Sequence, residues 1–257
     1  MNKYTKTGKC IWCGRTIKEV SFNNAPHILP QSLGGVEIGF DVCDECNAAF
    51  GTAYKGAPNV DLVFKEIFNV SRLVMEARDE NTYKQFKSVF FNYYHNKNKF
   101  VIKSSFSLQL RVITKQFKRA LFEVFLQKYH YETMDGNNPI FEAVRKYARY
   151  GEGDLKVYYI FNNIVLAEST KVPPRLLMSQ QLITDMFNYG VFNFWFWGFP
   201  FYLEVIPTLF NVKGFSYLKE EEARMVVRYK GNERMIELNN IMEIDFLMNR
   251  FNDNYYH

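Results

Sequence analysis

The chain has 257 residues, 47% of them hydrophobic and 23% charged, and a formal net charge of +5. That balance excludes a disordered chain and suits one large domain, or a small domain joined to a larger one. Aromatic content is high at 18%, which points to an aromatic-rich core, and the mild positive charge permits an acidic partner without requiring one.

The N-terminal stretch "MNKYTKTGKC" has no apolar h-region, so the expected location is the cytoplasm. All four cysteines then follow as two tight pairs, Cys10-Ile-Trp-Cys13 and Cys43-Asp-Glu-Cys46. Two intervening residues let both thiolates of a pair reach one ion, and four thiolates close a tetrahedral Zn²⁺ shell with no open position. Such a site is structural. Two redox-active pairs are the alternative, but redox chemistry needs only one pair, at the start of a helix in a βαβ unit.

Between the pairs, "TIKEVSF" alternates well enough for a strand, and "VEIGFDV" can return as a second one. "PHILP" is extended because Ala25 and Leu29 each precede a proline, and Gly34-Gly35 supplies a turn. After Cys46, "NAAFGTAY" can begin a short helix. "KGAPN" then punctuates the chain, which places a boundary near residue 57.

Beyond it, Leu62, Val63, Ile67, Val70, Leu73 and Val74 recur at helical spacing, with Asp61 in the first turn. "TKQFKRALFEVFLQKY" places Phe117, Leu121, Val124 and Phe125 on one helix face. Asn138-Pro139 starts a further helix that ends at Gly151. "DLKVYYIFNNIVLAE" and "FYLEVI" read as strands. The most apolar window, Val191 to Pro207, is interrupted by Asn193, Gly198, Pro200 and Glu204; it reads as buried strands with a turn near Gly198, not as a membrane span.

The segment from Lys97 to Lys128 holds eight basic residues and one acid, Glu123, whereas residues 1–60 are nearly balanced. If nucleic acid binds, Lys115, Lys118 and Arg119 are the expected contacts, a solvated helix face being the alternative. His95, His130 and His257 have no motif around them and are expected at the surface.

Cys-x-x-Cys, then His27-Ile28-x-Pro30-x-Ser32-Leu33-Gly34-Gly35, then Val42-Cys43-x-x-Cys46-Asn47-x-x-Phe50-Gly51, resembles the zinc-stapled HNH endonucleases of bacteria and phages. The resemblance implies an α+β chain: a small zinc-bound ββα-metal module at 1–57, then a larger α+β domain at 58–257 for target engagement or regulation. It also implies a metal-dependent endonuclease hydrolysing DNA phosphodiester bonds, of the kind carried by defence systems and mobile elements. His27 takes the general-base position, and neutral imidazole can accept a proton from water near neutral pH. A Mg²⁺ or Mn²⁺ ion is implied, with Asn47 as a ligand; Asn47 as a helix N-cap is the alternative. Pro26 stands where the family commonly has an acid, and Asp41 where it often has an asparagine. Asp41 is therefore expected either to orient His27 or to supply the missing carboxylate. An RNA nuclease, or a catalytically impaired zinc scaffold for binding or assembly, is the alternative function. The C-terminal domain offers a surface for a protein partner or a second copy.

Overall fold

The structure, a computed structural model, describes residues 3–76, 86–94, 99–161, 174–196, 199–229 and 234–244. Six α-helices of four or more residues and six strands organise them. Helix α1 spans Asp44–Phe50, α2 Val60–Glu76, α3 Leu110–Thr133, α4 Glu142–Arg145, α5 Gln180–Tyr189 and α6 Phe215–Tyr229. Strands β1 (Phe91–Tyr94) and β2 (Lys99–Ile102) form an antiparallel pair. Strands β3 (Val157–Phe161), β4 (Val191–Phe196), β5 (Phe199–Glu204) and β6 (Arg234–Glu237) form an antiparallel sheet in the order β4-β5-β3-β6. The fold is mixed α+β, with a four-cysteine cluster near the N-terminus followed by a larger α+β region.

The sheet is buried on both faces, which explains its nearly unbroken aromatic strands. Phe192, Phe194, Phe196 and Phe201 face the main core, where Phe68 and Phe117 meet Phe201 at ring-centroid distances of 6.3 and 5.7 Å. Tyr158, Ile160, Val191 and Tyr202 face the opposite side, against Tyr217, Leu218 and Met225 of α6. Pro200 is tolerated in an inner strand because the β3 register stops at Phe201, so its missing N–H breaks no ladder on that side. The turn expected near Gly198, the later part of the strand-like stretch after Phe161, and His95 and His257 lie outside the described residues.

The expected apolar face of α3 is buried, but so is almost everything else on it. Gln116, Lys118, Glu123, Gln127, Lys128 and His130 are buried as well. The helix is therefore a central strut, not a surface ridge. Its polar groups reach other parts of the chain. Gln116 Nε2 donates to Pro58 O at 2.6 Å, and Lys128 Nζ meets Glu37 Oε1 at 2.7 Å. One hydrophobic core runs from Cys10 through α3 to Ile244.

The two strands expected over 16–22 and 36–42 reduce to the isolated bridges Lys9–Thr16 and His27–Ile38. Glu19 explains the first: its carboxylate takes the Thr16 N–H and hydroxyl at 2.8 and 2.9 Å and winds that segment into a turn. Asp41 explains the second, because its φ of 57° ends the extended run. His130, expected at the surface, is fully buried.

Candidate active site

The four cysteine sulfurs lie within 4.8 Å of one another, and none is in a disulfide. Cys13 Sγ and Cys43 Sγ are 3.8 Å apart. A tetrahedron with Zn–S bonds of ~2.3 Å has an edge of about 3.8 Å, whereas a disulfide would need ~2.05 Å. The cluster fits a structural Zn²⁺ held by Cys10, Cys13, Cys43 and Cys46. Hydrogen bonding from Cys46 holds the Cys10 thiol below its ordinary range, and burial holds Cys43 above it.

Helix α1 starts between the last two cysteines, so the zinc cluster fixes its position. Asp44 in its first turn accepts the Ser21 hydroxyl at 2.6 Å and the Asn23 and Asn24 N–H groups at 2.9 and 2.8 Å. That pins the chain entering Pro26-His27. On the far side, Ile28 N donates to Glu37 O, and Gly39 N to Pro26 O at 2.7 Å. Gly34 takes a left-handed φ of 89° to end the turn Gln31–Leu33. A Cβ on Gly35 would lie 2.2 Å from Leu29 O, so only glycine lets the chain pass there.

These restraints bring His27 and Asn47 to one cavity of about 360 Å³. His27 is partly exposed; its Nδ1 is buried and has no hydrogen-bond partner among the described residues. Burial lowers the His27 pKa, which favours the neutral imidazole a base needs. Asn47 sits inside α1, whose N-cap is Cys43, so it is not the cap.

Asp41 is not part of that cavity. Its buried carboxylate accepts the Thr5 hydroxyl, the N–H groups of Lys6, Thr7 and Gly8, and His130 Nε2 at 2.9 Å. With its oxygens so filled, Asp41 neither orients His27 nor has a free edge for a cation. This corrects the expectation drawn from its place beside Val42-Cys43.

The cavity holds two acids that motif reasoning missed as site residues: Asp61 from the first turn of α2 and Glu123 from the middle of α3. Burial holds Asp61 up at about 6. Burial, reinforced by the charge of Asp61, lifts Glu123 well above the ordinary carboxylate range. The signal for Glu123 was in the sequence: a lone acid between Phe122 and Val124 in the apolar run "ALFEVFL".

The basic residues of α3 are placed differently from the expectation. Lys118 is buried and pairs with Asp154 at 3.4 Å. Arg119 donates to Ala148 O, Gln116 Oε1 and Arg149 O. Lys115 is exposed, with Nζ donating to Gly151 O at 2.7 Å. Two of the three expected nucleic-acid contacts are thus committed within the protein.

Residues 10–57 match the family described as HNH endonuclease. This segment is an HNH endonuclease domain. The match contains all four cysteines together with His27 and Asn47, and it ends before Asp61. The HNH family implies nucleic acid as the partner. Neither the curated proteins nor the solved structures give a significant match to the chain. No helix among the described residues is long and apolar enough to cross a membrane.

Proposed function

We propose that the chain is a metal-dependent HNH endonuclease that hydrolyses DNA phosphodiester bonds. The observation that carries this reading is the opening of His27 and Asn47, both within the HNH domain, onto one cavity. The four-cysteine cluster supports it by fixing α1 and the ends of the loop that bears His27.

In the proposed reaction, a ring nitrogen of His27 accepts a proton from water as the water oxygen bonds to phosphorus. The bond from phosphorus to the leaving sugar oxygen breaks, and that oxygen leaves as an alcohol after taking up a proton. Asn47 offers a carboxamide oxygen, a hard donor suited to Mg²⁺ or Mn²⁺. Such an ion, when bound, neutralises charge on the phosphate oxygens. Pro26 and the His27–Ile38 bridge hold the backbone of the loop that carries the base.

The test is cleavage of plasmid DNA and of RNA with Mg²⁺ or Mn²⁺, comparing wild type with His27→Ala. Divalent-dependent DNA cutting that His27→Ala abolishes supports the reading. Cutting of RNA alone would replace DNA as the substrate, and equal rates in both proteins would remove His27 as the base.

A further inference from the structure

No acid of the HNH segment lines the cavity, and the one buried acid oxygen there without a partner among the described residues, Glu37 Oε2, lies away from it. The segment contains five acids: Glu19, Glu37, Asp41, Asp44 and Glu45. Glu19 is bonded to Thr16, Glu37 to Lys128, Asp44 to Ser21 and the 23–24 backbone, and Glu45 to Arg15. Asp41 is filled as described. Pro26 offers no side-chain donor, and its carbonyl already accepts Gly39 N–H.

The larger region shows the converse. Among the charged side chains buried on α3, Lys118 and Lys128 have ion pairs and Glu123 has none among the described residues. Its one partner is Gln127, whose Nε2 donates to Oε1 at 3.0 Å. Asp61 has no hydrogen bond or ion pair there either, and its Oδ2 points towards α1, 3.5 Å from where a Cβ on Gly51 would lie. Buried Glu123 feels the charge of Arg119 but forms no ion pair with it, because that guanidinium donates to Ala148 O, Gln116 Oε1 and Arg149 O; half-buried Asp61 adds like charge, and a cation would relieve both acids. These acids share their cavity with Asn47, whose carboxamide oxygen is a further hard donor, and with His27.

We propose that Asp61 and Glu123, both outside the HNH segment, supply the carboxylate ligands of the divalent ion, in place of an acid at Pro26. The inference rests on the nuclease reading above. The carboxylates do not close on a single point as the cysteines do; the only tight cluster of His, Cys, Asp or Glu ligand atoms among the described residues is the four cysteines. An open set suits a hard ion, which takes one or two carboxylates and keeps the rest of its shell for water and phosphate oxygens.

The test is Mn²⁺ binding to the full-length, zinc-loaded protein without nucleic acid, read from the loss of the free-Mn²⁺ electron-paramagnetic signal. Wild type is expected to bind Mn²⁺ beyond its zinc. Asp61→Asn and Glu123→Gln should each weaken that binding ~10-fold or more, whereas His27→Ala should lose cleavage and keep Mn²⁺ affinity. Both carboxylate substitutions conserve volume; zinc content and a cooperative melt identify a variant that has folded, and either variant alone decides. Unchanged Mn²⁺ affinity in a folded variant, or no Mn²⁺ binding by wild type, overturns the proposal even where cleavage still depends on His27. Carboxylate-dependent Mn²⁺ binding without any cleavage leaves the metal site standing and removes the nuclease reading instead.

Discussion

His130 Nε2 donates to Asp41 Oδ2 at 2.9 Å, joining α3 to the zinc-stapled segment between two fully buried side chains. Nδ1 of the same ring accepts the Gly136 N–H at 3.0 Å, which leaves the ring proton on Nε2. Asp41 is thus the anchor of a polar knot that gathers residues 5–8, α3 and the chain just before Cys43. Asp41→Ala strands several of these donors in the interior. The expected loss is ~3 kcal/mol or more of stability, a fall in Tm of roughly 6–12 °C. His130→Ala should destabilise as well. Melting curves within 2 °C of wild type would mean the knot is not a stabilising element.

Zinc removal is the second prediction. One Zn²⁺ per chain is expected by elemental analysis, and chelation under reducing conditions should unfold the segment around α1, because a closed thiolate shell contributes folding free energy directly. Protein purified reduced with no zinc and an unaltered melt would end that reading.

The pH profile tests the base. Burial lowers the His27 pKa, so the neutral form persists to lower pH than in a free imidazole. At saturating divalent ion, kcat/KM should stay level through neutrality and fall only below the ordinary imidazole value of ~6.5. An acid limb above that value would point to a different base.

Gly35→Ala separates loop geometry from zinc. Its new Cβ would overlap Leu29 O and displace the loop just beyond His27. We expect cleavage to drop sharply while zinc content is kept, at a stability cost of about 1–3 kcal/mol. Wild-type rates would show that the loop yields freely.

For the basic residues of α3, Lys118→Gln and Arg119→Gln should lower stability, because both side chains are bonded inside the protein. Neither should change the salt dependence of DNA binding. Should the slope fall by ~0.9 for each replaced charge, these side chains reach phosphate after all.

What the sequence made legible was local. The cysteine spacing, the helical spacing behind α2 and α3, the Asn138-Pro139 start and the aromatic hairpin of β4 and β5 depend on neighbours a few residues apart. What it hid depended on burial of nearly every side of α3 between Gln116 and His130. A helix bearing Lys118, Arg119 and Lys128 reads as a solvated face until partners such as Asp154, Ala148 O and Glu37 are seen around it. His130 had no motif because its partner is 89 residues away. The strands around His27 failed for the opposite reason. Their alternation was real, but Glu19 captured a backbone donor that a hairpin ladder would have used, and the left-handed backbone at Asp41 ended the returning run.

The shared strut α3 also determines what becomes of the nuclease segment if the chain is cut. A fragment ending at residue 57 would keep its cysteines, His27 and Asn47, yet lose His130 from the Asp41 knot, Lys128 from Glu37 and, on the proposed ligand set, both carboxylates. On the proposed nuclease reading, proteolysis after the HNH segment would therefore abolish activity and not release a freely cutting fragment. For the same reason, grafting this segment onto an unrelated carrier would call for a new acid beside His27, so its transplantation depends on what travels with it.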